Sequence, residues 1–441
     1  MEEASRRYRI LGAKPMRVLI VTDAFPPHCG GSGWSTFHLC RALAARGHEV
    51  RVVKPAANLE GVRRREHEGL AVVDFGYVMR DVPFVRSWLR EGWLRRGLER
   101  FLAEELAQWP ADVVHAQHAL STPPAIGAAR ARGIPVVVTV RDHWTVCYFT
   151  TAHVEGALCP DCGFSKMLAC MKGKSPRAYW AGVPLMPYMR STVRAKQRSL
   201  AEADAVIGVS HYIAERAVRP IVGPDRTHVI PNPIDAAEVA REAAREPATP
   251  LPDRFVLFLG KMSRSKGAWL ALDAWSRTSV AGASLLMVGE GSERPALEAA
   301  ARERGVDVAF VPWVDNREAW RVMRRASAIL VPSLWPESLS RTVTEAMAAG
   351  TPVIATDCGG IHDQLRHRES GVILPPDPAA FATEIARVLG DPSLGRSWAA
   401  AAARAIAERF DDQAVLPSIE ALYRAVTLGR GGAAAGVRAT R

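Results

Sequence analysis

Residues 328–356, AILVPSLWPESLSRTVTEAMAAGTPVIAT, decide the fold of this chain. The apolar run at 328–332 predicts a buried strand, and the loop at 333–340 ends it. Residues 341–349 then predict a helix, and the apolar run at 352–356 predicts the next strand. A strand–helix–strand unit of this kind predicts a parallel sheet. Its loop follows the carboxyl end of a strand, where open α/β sheets bind their ligands.

The same pattern recurs on both sides of the proline-rich segment VIPNPID at residues 229–235. The apolar runs that predict strands are 16–22, 49–54, 112–115, 135–140, 205–209, 255–260, 284–289, 308–311, 328–332 and 352–356. They predict an α/β protein with two Rossmann-like, doubly wound domains that face a cleft. We expect one domain at 16–230 and a second at 231–405. A helix is expected at 406–428, with flexible ends at 1–15 and 429–441.

Two carboxylates flank the loop and helix of the opening segment. Glu337 precedes the helix and Glu345 lies inside it. A helix N-terminus offers free N–H groups to a phosphate, and a carboxylate can accept two hydrogen bonds from a vicinal diol. Two carboxylates around a phosphate-binding turn fit a nucleotide sugar, which carries diols on the ribose and on the sugar.

These residues resemble the donor signature of the retaining glycosyltransferases of the GT-B fold, family 4. Further segments resemble that family in the same order along the chain. They are the Gly30–Gly33 loop, the 229–235 hinge, Gly260–Gly267 and Val288–Ser292. The resemblance extends over residues 16–425. It implies that the domain at 16–230 binds the acceptor, that the domain at 231–405 binds the nucleotide sugar, and that the helix at 406–428 packs back on the first domain. It implies transfer of a sugar from a nucleotide-diphosphate sugar to an acceptor hydroxyl by front-face displacement, with no catalytic divalent metal.

The resemblance also implies roles for individual residues. Glu345 would hold the ribose hydroxyls and Glu337 the transferred sugar. The backbone N–H groups of Leu339 and Ser340 would reach the phosphates. Lys261 and Lys266 would neutralise the departing diphosphate. The donor-binding glycine turns contribute Gly31, Gly33, Gly289 and Glu290.

Two positions depart from the family pattern. Lys261 stands where members usually have an arginine, so the charge is kept and the bidentate geometry is lost. Arg141 stands where members usually have a histidine that contacts the transferred sugar, and His143 follows two residues later. Either Arg141 takes over that contact or His143 provides it.

Four of the seven cysteines lie close together in the segment 144–175. They are Cys147, Cys159, Cys162 and Cys170, and they include one Cys-x-x-Cys. Such a spacing is typical of a tetrahedral thiolate site for structural zinc, and an iron–sulfur cluster needs the same number of ligands. The alternative is four reduced thiols or a redox pair.

The composition and charge of the chain indicate where the protein is located and which partners it binds. The 441 residues carry a formal net charge of +11, with 48% hydrophobic residues. The sequence contains no secretory signal and no apolar run long enough to span a bilayer, so we expect a cytoplasmic protein. Residues 83–101 interleave aromatic residues with arginines, which predicts peripheral contact with an anionic membrane. The alternative is that this stretch packs on the first sheet.

Other functions remain open at this point. A nucleotide-sugar epimerase or hydrolase of the same fold would consume donor without an acceptor. The net charge admits a nucleic-acid-binding protein, but the chain contains no recognised nucleic-acid motif. Within the leading interpretation the acceptor is a lipid-linked or other small molecule of cell-envelope or polysaccharide biosynthesis, or a small secondary metabolite. The base, the sugar, the acceptor and the oligomeric state are not indicated.

Overall fold

The computed structural model describes residues 14–27, 29–78, 90–154, 157–159, 162–174, 180 and 183–438. The chain divides into two compact units. The N-terminal unit comprises Met1–Pro233 and Val415–Arg441, and the C-terminal unit comprises Ile234–Ala414.

The N-terminal unit is built on an eight-stranded sheet. Its strands are β1 (Arg17–Val21), β2 (Glu49–Ala57), β3 (Val62–His67), β4 (Leu70–Tyr77), β5 (Val113–Ala116), β6 (Val136–Val140), β9 (Ala205–Gly208) and β10 (Thr227–Val229); β7 (His153–Val154) and β8 (Ala157–Leu158) form a separate hairpin. The order is β10-β9-β6-β5-β1-β2-β4-β3, and every neighbouring pair is parallel except β3 with β4. All residues of β5 and β6 are buried, as expected for strands covered on both faces.

Strands β3 and β4 are absent from the sequence prediction. The Glu68-Gly69 turn, with positive φ at both residues, joins them into an antiparallel pair at the sheet edge. Strand β3 is rich in arginine, so it lacks the apolar run that marks a buried strand. Its Arg63 and Arg65 donate to the buried Asp74 of β4. Charged edge strands of this kind discourage pairing with another chain.

Helices cover this sheet. They are α1 (Gly31–Ala45), α2 (Arg95–Gln108), α3 (Thr122–Arg130), α4 (Phe164–Lys174), α5 (Met186–Leu200), α6 (His211–Ile213) and α7 (Arg219–Val222), with 3-10 turns at Val183–Leu185 and Pro224–Arg226 and π turns at Arg90–Leu94 and Ala214–Val218. The last helix of the chain, α16 (Asp412–Arg438), packs Leu416, Ile419 and Tyr423 into the core of this unit, at the spacing of one helical face.

The C-terminal unit is a fully parallel six-stranded sheet. Its strands are β11 (Phe255–Leu259), β12 (Ser284–Val288), β13 (Val308–Val311), β14 (Ala328–Val331), β15 (Val353–Thr356) and β16 (Val372–Leu374). The order is β13-β12-β11-β14-β15-β16. The chain runs outward from β11 to β13 and then returns to the other side of β11, so the strand order reverses between β11 and β14.

The helices of this unit lie on both faces of its sheet. They are α8 (Ala236–Ala243), α9 (Ala268–Trp275), α10 (Arg294–Arg304), α11 (Asn316–Arg325), α12 (Arg341–Ala349), α13 (Ile361–Gln364), α14 (Pro378–Gly390) and α15 (Pro392–Arg409). Two apolar clusters, one containing Trp320 and Phe410 and one containing Phe381 and Trp398, form the core. The whole arrangement is the α/β architecture predicted from the sequence, with a helical C-terminus that returns to the first unit.

The C-terminal helical region is interrupted, whereas the sequence predicts one continuous helical stretch. Helix α15 ends at Arg409, and Asp411 forms a short parallel bridge with Ile234 before α16 begins. Helix α16 then continues to Arg438, through residues that the sequence predicts to be flexible. Their alanine-rich composition favours a helix.

Candidate functional site

The candidate site of the C-terminal unit lies where its strand order reverses. Strands β11 and β14 are paired neighbours, and the loop that follows each of them leaves from the carboxyl edge of the sheet. Open parallel sheets bind ligands at this position, because the loops on the two sides diverge and leave a crevice. Lys261 and Lys266 follow β11, and Glu337 follows β14.

Lys266 and Glu337 form the centre of this site. Lys266 Nζ donates to Glu337 Oε1 at 2.7 Å, and Ser333 Oγ donates to the same oxygen at 2.5 Å. The Glu337 carboxylate is only 9% exposed, whereas the lysine side chain is 33% exposed. Lys266 Nζ also lies 5.3 Å from the centre of the Trp335 ring, within cation–π range. The site therefore holds a shielded carboxylate beside a cation that solvent can reach.

Backbone contacts hold the two loops together. Gly267 has a φ of +71°, and a Cβ at this position would overlap the carbonyl oxygen of Pro332. A Cβ at Gly359 (φ +59°) would likewise overlap the carbonyl oxygen of Glu337, and the N–H of Gly360 donates to Glu337 O at 2.6 Å. Glycine is required at 267 and 359 because both the φ angle and the close approach exclude a side chain.

The second predicted carboxylate is held by an arginine of its own helix. Glu345 lies on α12 and accepts hydrogen bonds from Arg341 Nε at 2.7 Å and from Arg341 Nη2 at 2.6 Å. The Glu345 residue is 7% exposed. The i,i+4 spacing places the guanidinium at the first turn of α12, beside the loop that carries Glu337.

The first turn of α12 is tied to a buried glutamine. The Ser340 N–H donates to Gln364 Oε1 at 2.8 Å, and Gln364 Nε2 donates to Ser340 O at 2.7 Å and to Thr344 Oγ1 at 2.6 Å. Gln364 is 1% exposed. The Ser340 N–H, to which the family resemblance gives a phosphate as partner, thus has an acceptor within the protein. The neighbouring Leu339 is partly buried against the core.

The turn after β12 brings the remaining donor-loop residues to the same edge. Gly289 has a φ of +137°, and a Cβ there would overlap the carbonyl oxygen of Gly260 after β11. The Glu290 side chain pairs with Arg294 at 2.6 Å, and its carbonyl oxygen accepts from Met262 N at 2.9 Å. The turns after β11 and β12 therefore form one continuous backbone surface, on which Lys261 is exposed.

In the N-terminal unit, Gly31 and Gly33 lie in the first turn of α1, not in a separate loop as the sequence predicts. Gly30 precedes this helix in an extended conformation, and its carbonyl oxygen accepts from the N–H groups of Gly33 and Trp34. A Cβ at Gly33 would overlap the side chain of Cys29. The absence of side chains thus lets the helix begin tightly against the preceding residues.

Arg141 and His143 follow β6, but their side chains contact different partners. Arg141 Nε donates to Asn232 Oδ1 at 2.8 Å, and Arg141 Nη1 donates to Gln117 O at 3.2 Å. His143 is 2% exposed, and its Nε2 lies 3.2 Å from the Tyr212 hydroxyl. The structure therefore groups Arg141 with the residues after β5 and before β11, and His143 with α6.

Burial governs the ionisation of this group. Burial lowers the pKa of Arg141 to about 10. It also lowers the pKa of His143 to about 4, and the nearby Arg216 adds to the shift. The pKa of Asp142 is raised to about 6, mainly by burial. At neutral pH the imidazole of His143 is thus neutral, and it can serve as a hydrogen-bonding group but not as a cation.

The four clustered cysteines line one cavity in the segment that follows β6. Cys147, Cys159, Cys162 and Cys170 belong to no disulfide. Among the described residues, no three or more His, Cys, Asp or Glu side chains already stand in positions that would hold a metal ion.

Several site residues are missing from the sequence prediction. Arg341 could be found from its i,i+4 spacing to Glu345. Ser333 lies next to the predicted strand end, but nothing in its type marks it as a partner of Glu337. Gln364 has no sequence signal, because its contacts bridge 24 and 20 residues.

The basic aromatic stretch is only partly within the described residues. Its Phe84 and Trp88 lie outside them. Leu98 packs in the interior at 1% exposure, whereas Trp93 is 70% exposed. Throughout the described part of the chain, no helix combines the length and the apolar character needed to cross a membrane.

Both halves of the chain match known families. Residues 29–238 match the family described as Glycosyltransferase Family 4, and residues 240–405 match Glycosyl transferases group 1. Glycogen synthase of Mycobacterium tuberculosis is 28% identical over 435 residues, which cover 94% of this chain and 96% of the relative. The 2-deoxystreptamine glucosyltransferase of Streptomyces kanamyceticus is 30% identical, covering 82% of this chain and 92% of the relative. HepE of Anabaena, solved in complex with UDP, superposes with a TM-score of 0.64 at 16% identity, covering 93% of this chain and 100% of that one.

Proposed function

The chain belongs to the glycosyltransferases of family 4 and group 1, and we propose that it transfers the sugar with retention of anomeric configuration and without a divalent metal. It has the GT-B fold of this family, and the proposed donor is a nucleotide sugar. The observation that carries the proposal is the Lys266–Glu337–Ser333 group at the point where the strand order reverses.

The two lysines supply the charge that the leaving diphosphate needs. Lys266 is fixed beside Glu337 but remains a third exposed, and Lys261 is exposed on the backbone surface after β11. Cations aimed at a departing phosphate stabilise the charge that develops in the transition state. The N-terminus of α12 adds its partial positive charge. A phosphate that binds the Ser340 N–H either replaces Gln364 Oε1 as its acceptor or shares this N–H with it.

The two carboxylates suit hydroxyl groups. Glu337 would accept hydrogen bonds from the transferred sugar, and Glu345 from the ribose, while Lys266 and Arg341 orient the two carboxylates. In the proposed step the acceptor oxygen bonds to the anomeric carbon on the face from which the diphosphate departs. The bond from that carbon to the phosphate oxygen breaks, and this oxygen receives the acceptor's proton. Atoms and charge balance without a protein nucleophile.

The roles of the two units follow the same proposal. The C-terminal unit binds the donor, and the N-terminal unit binds the acceptor through residues at the carboxyl ends of β5 and β6, with Arg141 as the residue that contacts the transferred sugar. Arg141 is favoured over His143 because the imidazole is almost fully buried against Tyr212. The proposal includes an acceptor of cell-envelope or polysaccharide biosynthesis. It also includes peripheral contact with an anionic membrane through Trp93 and its neighbouring arginines.

Thermal-shift measurements with UDP, GDP and ADP test the donor site. A ligand that binds only the folded protein raises its melting temperature, and at 100 times its Kd it adds about 2.7 kcal/mol to the stability. We expect one of the three to stabilise the protein and Glu345→Gln to reduce that effect. If none of the three has any effect at millimolar concentration, the donor assignment fails.

Product analysis tests the reaction itself. With the matching nucleotide sugar and a panel of acceptors, we expect a product with the donor's anomeric configuration by NMR, formed equally well after dialysis against Mg²⁺-free buffer. An inverted product, or an absolute need for Mg²⁺ or Mn²⁺, contradicts the proposal. Donor consumption at the same rate without any acceptor would instead identify a nucleotide-sugar hydrolase or epimerase.

A further inference from the structure

Four cysteines of the segment 144–175 line one small cavity of the N-terminal unit. Cys147, Cys159, Cys162 and Cys170 all line it, and the cavity measures about 20 Å³. Of the seven cysteines in the chain, the other three lie elsewhere: Cys29 and Cys40 near α1, and Cys358 in the C-terminal unit. The four cysteines that line the cavity are therefore the same four that are closely spaced in the sequence.

The size of the cavity suits a single metal ion. A cavity of about 10–15 Å³ holds one water molecule. A volume of about 20 Å³ therefore has room for a single ion, which is no larger than a water. Four thiolates around one ion are the ligand set of a structural zinc site.

The surroundings carry positive charge. Zinc bound by four thiolates has a net charge of −2, which must be balanced when the site is partly buried. Lys166 lines the cavity, and Arg216 donates a hydrogen bond to the carbonyl oxygen of Cys159. Both cations stand beside the position where the negative charge would lie.

The described part of this segment contains little regular secondary structure. Between β6 and α5 the described residues contain only the hairpin β7–β8, the helix α4 and a 3-10 turn, packed on a small cluster of methionines. Backbone hydrogen bonds already hold two of the cysteines: Cys147 N donates to His143 O at 2.8 Å, and Cys159 N donates to Ala152 O at 2.9 Å. A bound ion would join these two turns to α4 through Cys170.

We propose that Cys147, Cys159, Cys162 and Cys170, which line a single cavity after β6, bind one structural Zn²⁺. Binding deprotonates the four thiols, releases their protons to solvent and draws the sulfurs toward the cavity centre. The ion fixes the segment that begins at His143, at the carboxyl end of β6. The proposed ligands are not among the residues assigned to the donor, and their binding of zinc does not depend on the proposed reaction.

Metal analysis of the full-length protein, purified without chelators from zinc-containing medium, tests this inference. We expect about one zinc per chain by mass spectrometry. Cys147→Ser and Cys162→Ser should each lower the zinc content by about tenfold or more, because each removes a ligand. Cys358→Ser is the matched control, and its zinc content should equal that of the unmodified protein.

A second measurement does not depend on the variants being folded. Titration of the unmodified protein with a mercurial should release zinc to a colorimetric indicator in step with the modification of four thiols. Zinc well below one per chain overturns the inference. So does iron with acid-labile sulfide and cluster absorption after anaerobic purification, or a Cys159–Cys162 disulfide found by peptide mass spectrometry.

Discussion

At the scale of single residues, Lys266 and Glu337 depend on each other. The carboxylate is almost fully shielded from water and accepts hydrogen bonds from Lys266 and Ser333. A shielded carboxylate that loses its cation keeps only the hydroxyl as a partner. Removal of Lys266 thus has two effects, since it takes a charge from the phosphate site and leaves Glu337 poorly compensated.

We predict that Lys266→Ala lowers kcat/KM about 10- to 150-fold, the equivalent of about 1.5–3 kcal/mol for a hydrogen bond to a charged group. Steady-state kinetics with the identified donor measures this. Lys266→Arg should retain more activity, because it keeps the cation. Arg302→Ala, at an exposed position of α10, serves as the control for a change of charge alone. Unchanged turnover in Lys266→Ala would remove the residue from the site.

The residue types at this site could be predicted from the sequence, but their pairing could not. Glu337, Glu345 and Lys266 all stand out by type and by position after strands. The contact between Lys266 and Glu337 joins residues 71 apart. This contact forms because β11 and β14 are neighbours in the sheet. The order of the elements along the chain does not predict that pairing. The pairing of Arg341 with Glu345 could be predicted, because the two residues are four apart on one helix.

At the scale of elements, the turn after β11 depends on how closely it approaches β14. Gly267 begins α9 in a left-handed conformation and lies against the carbonyl of Pro332. Gly282 has nearly the same φ, +67° against +71°, but nothing lies within 4 Å of the position of its Cβ. Alanine substitutions at these two glycines therefore separate two losses of stability. One comes from the left-handed backbone conformation, and the other comes from the close approach to Pro332.

We predict that Gly282→Ala costs about 1–2 kcal/mol of stability, the penalty of a left-handed conformation. Gly267→Ala should cost at least about 1–3 kcal/mol more, because the methyl group forces the two loops apart. Urea unfolding of both variants measures the difference. Equal losses of stability in the two variants would show that the close approach of Gly267 to Pro332 does not constrain the turn after β11.

Most strands built from apolar runs were predicted, although the buried strands β4 and β16 were missed, and the strand built from long-range charge was missed as well. Strands β5, β6, β11 and β12 are buried along nearly their whole length and appear as apolar runs in the sequence. Strand β3 consists largely of charged residues. Its stability comes from acidic partners on β4 and α2, such as Asp74 and Glu105, which no local pattern connects to it.

At the scale of the whole molecule, the last helix completes the first unit. Glu420 on α16 is 2% exposed and pairs with Arg46 Nε at 2.6 Å and with His48 Nε2 at 3.1 Å. Tyr423, one turn further, places its hydroxyl 2.6 Å from Nδ1 of the buried His115 on β5. Only the family resemblance, and not the local pattern, predicts this return of the chain.

We predict that Glu420→Ala destabilises the protein by about 3–5 kcal/mol, because it leaves a shielded guanidinium without its carboxylate. Glu369→Ala is the control. Its pair with Arg366 is exposed on both sides, at 73% and 59%, and should be worth less than about 1 kcal/mol. Denaturant unfolding of the two variants gives the comparison. Similar losses would contradict an anchoring role for Glu420.

The position of α16 has a consequence for synthesis of the chain on the ribosome. The core of the N-terminal unit includes Leu416 and Tyr423, which are translated about 190 residues after Pro233, or roughly 10–40 s later at ordinary elongation rates. During that interval the apolar groove that α16 fills is open while the C-terminal unit is being made. The nascent first half of the protein is therefore the stage at which chaperones have most to protect.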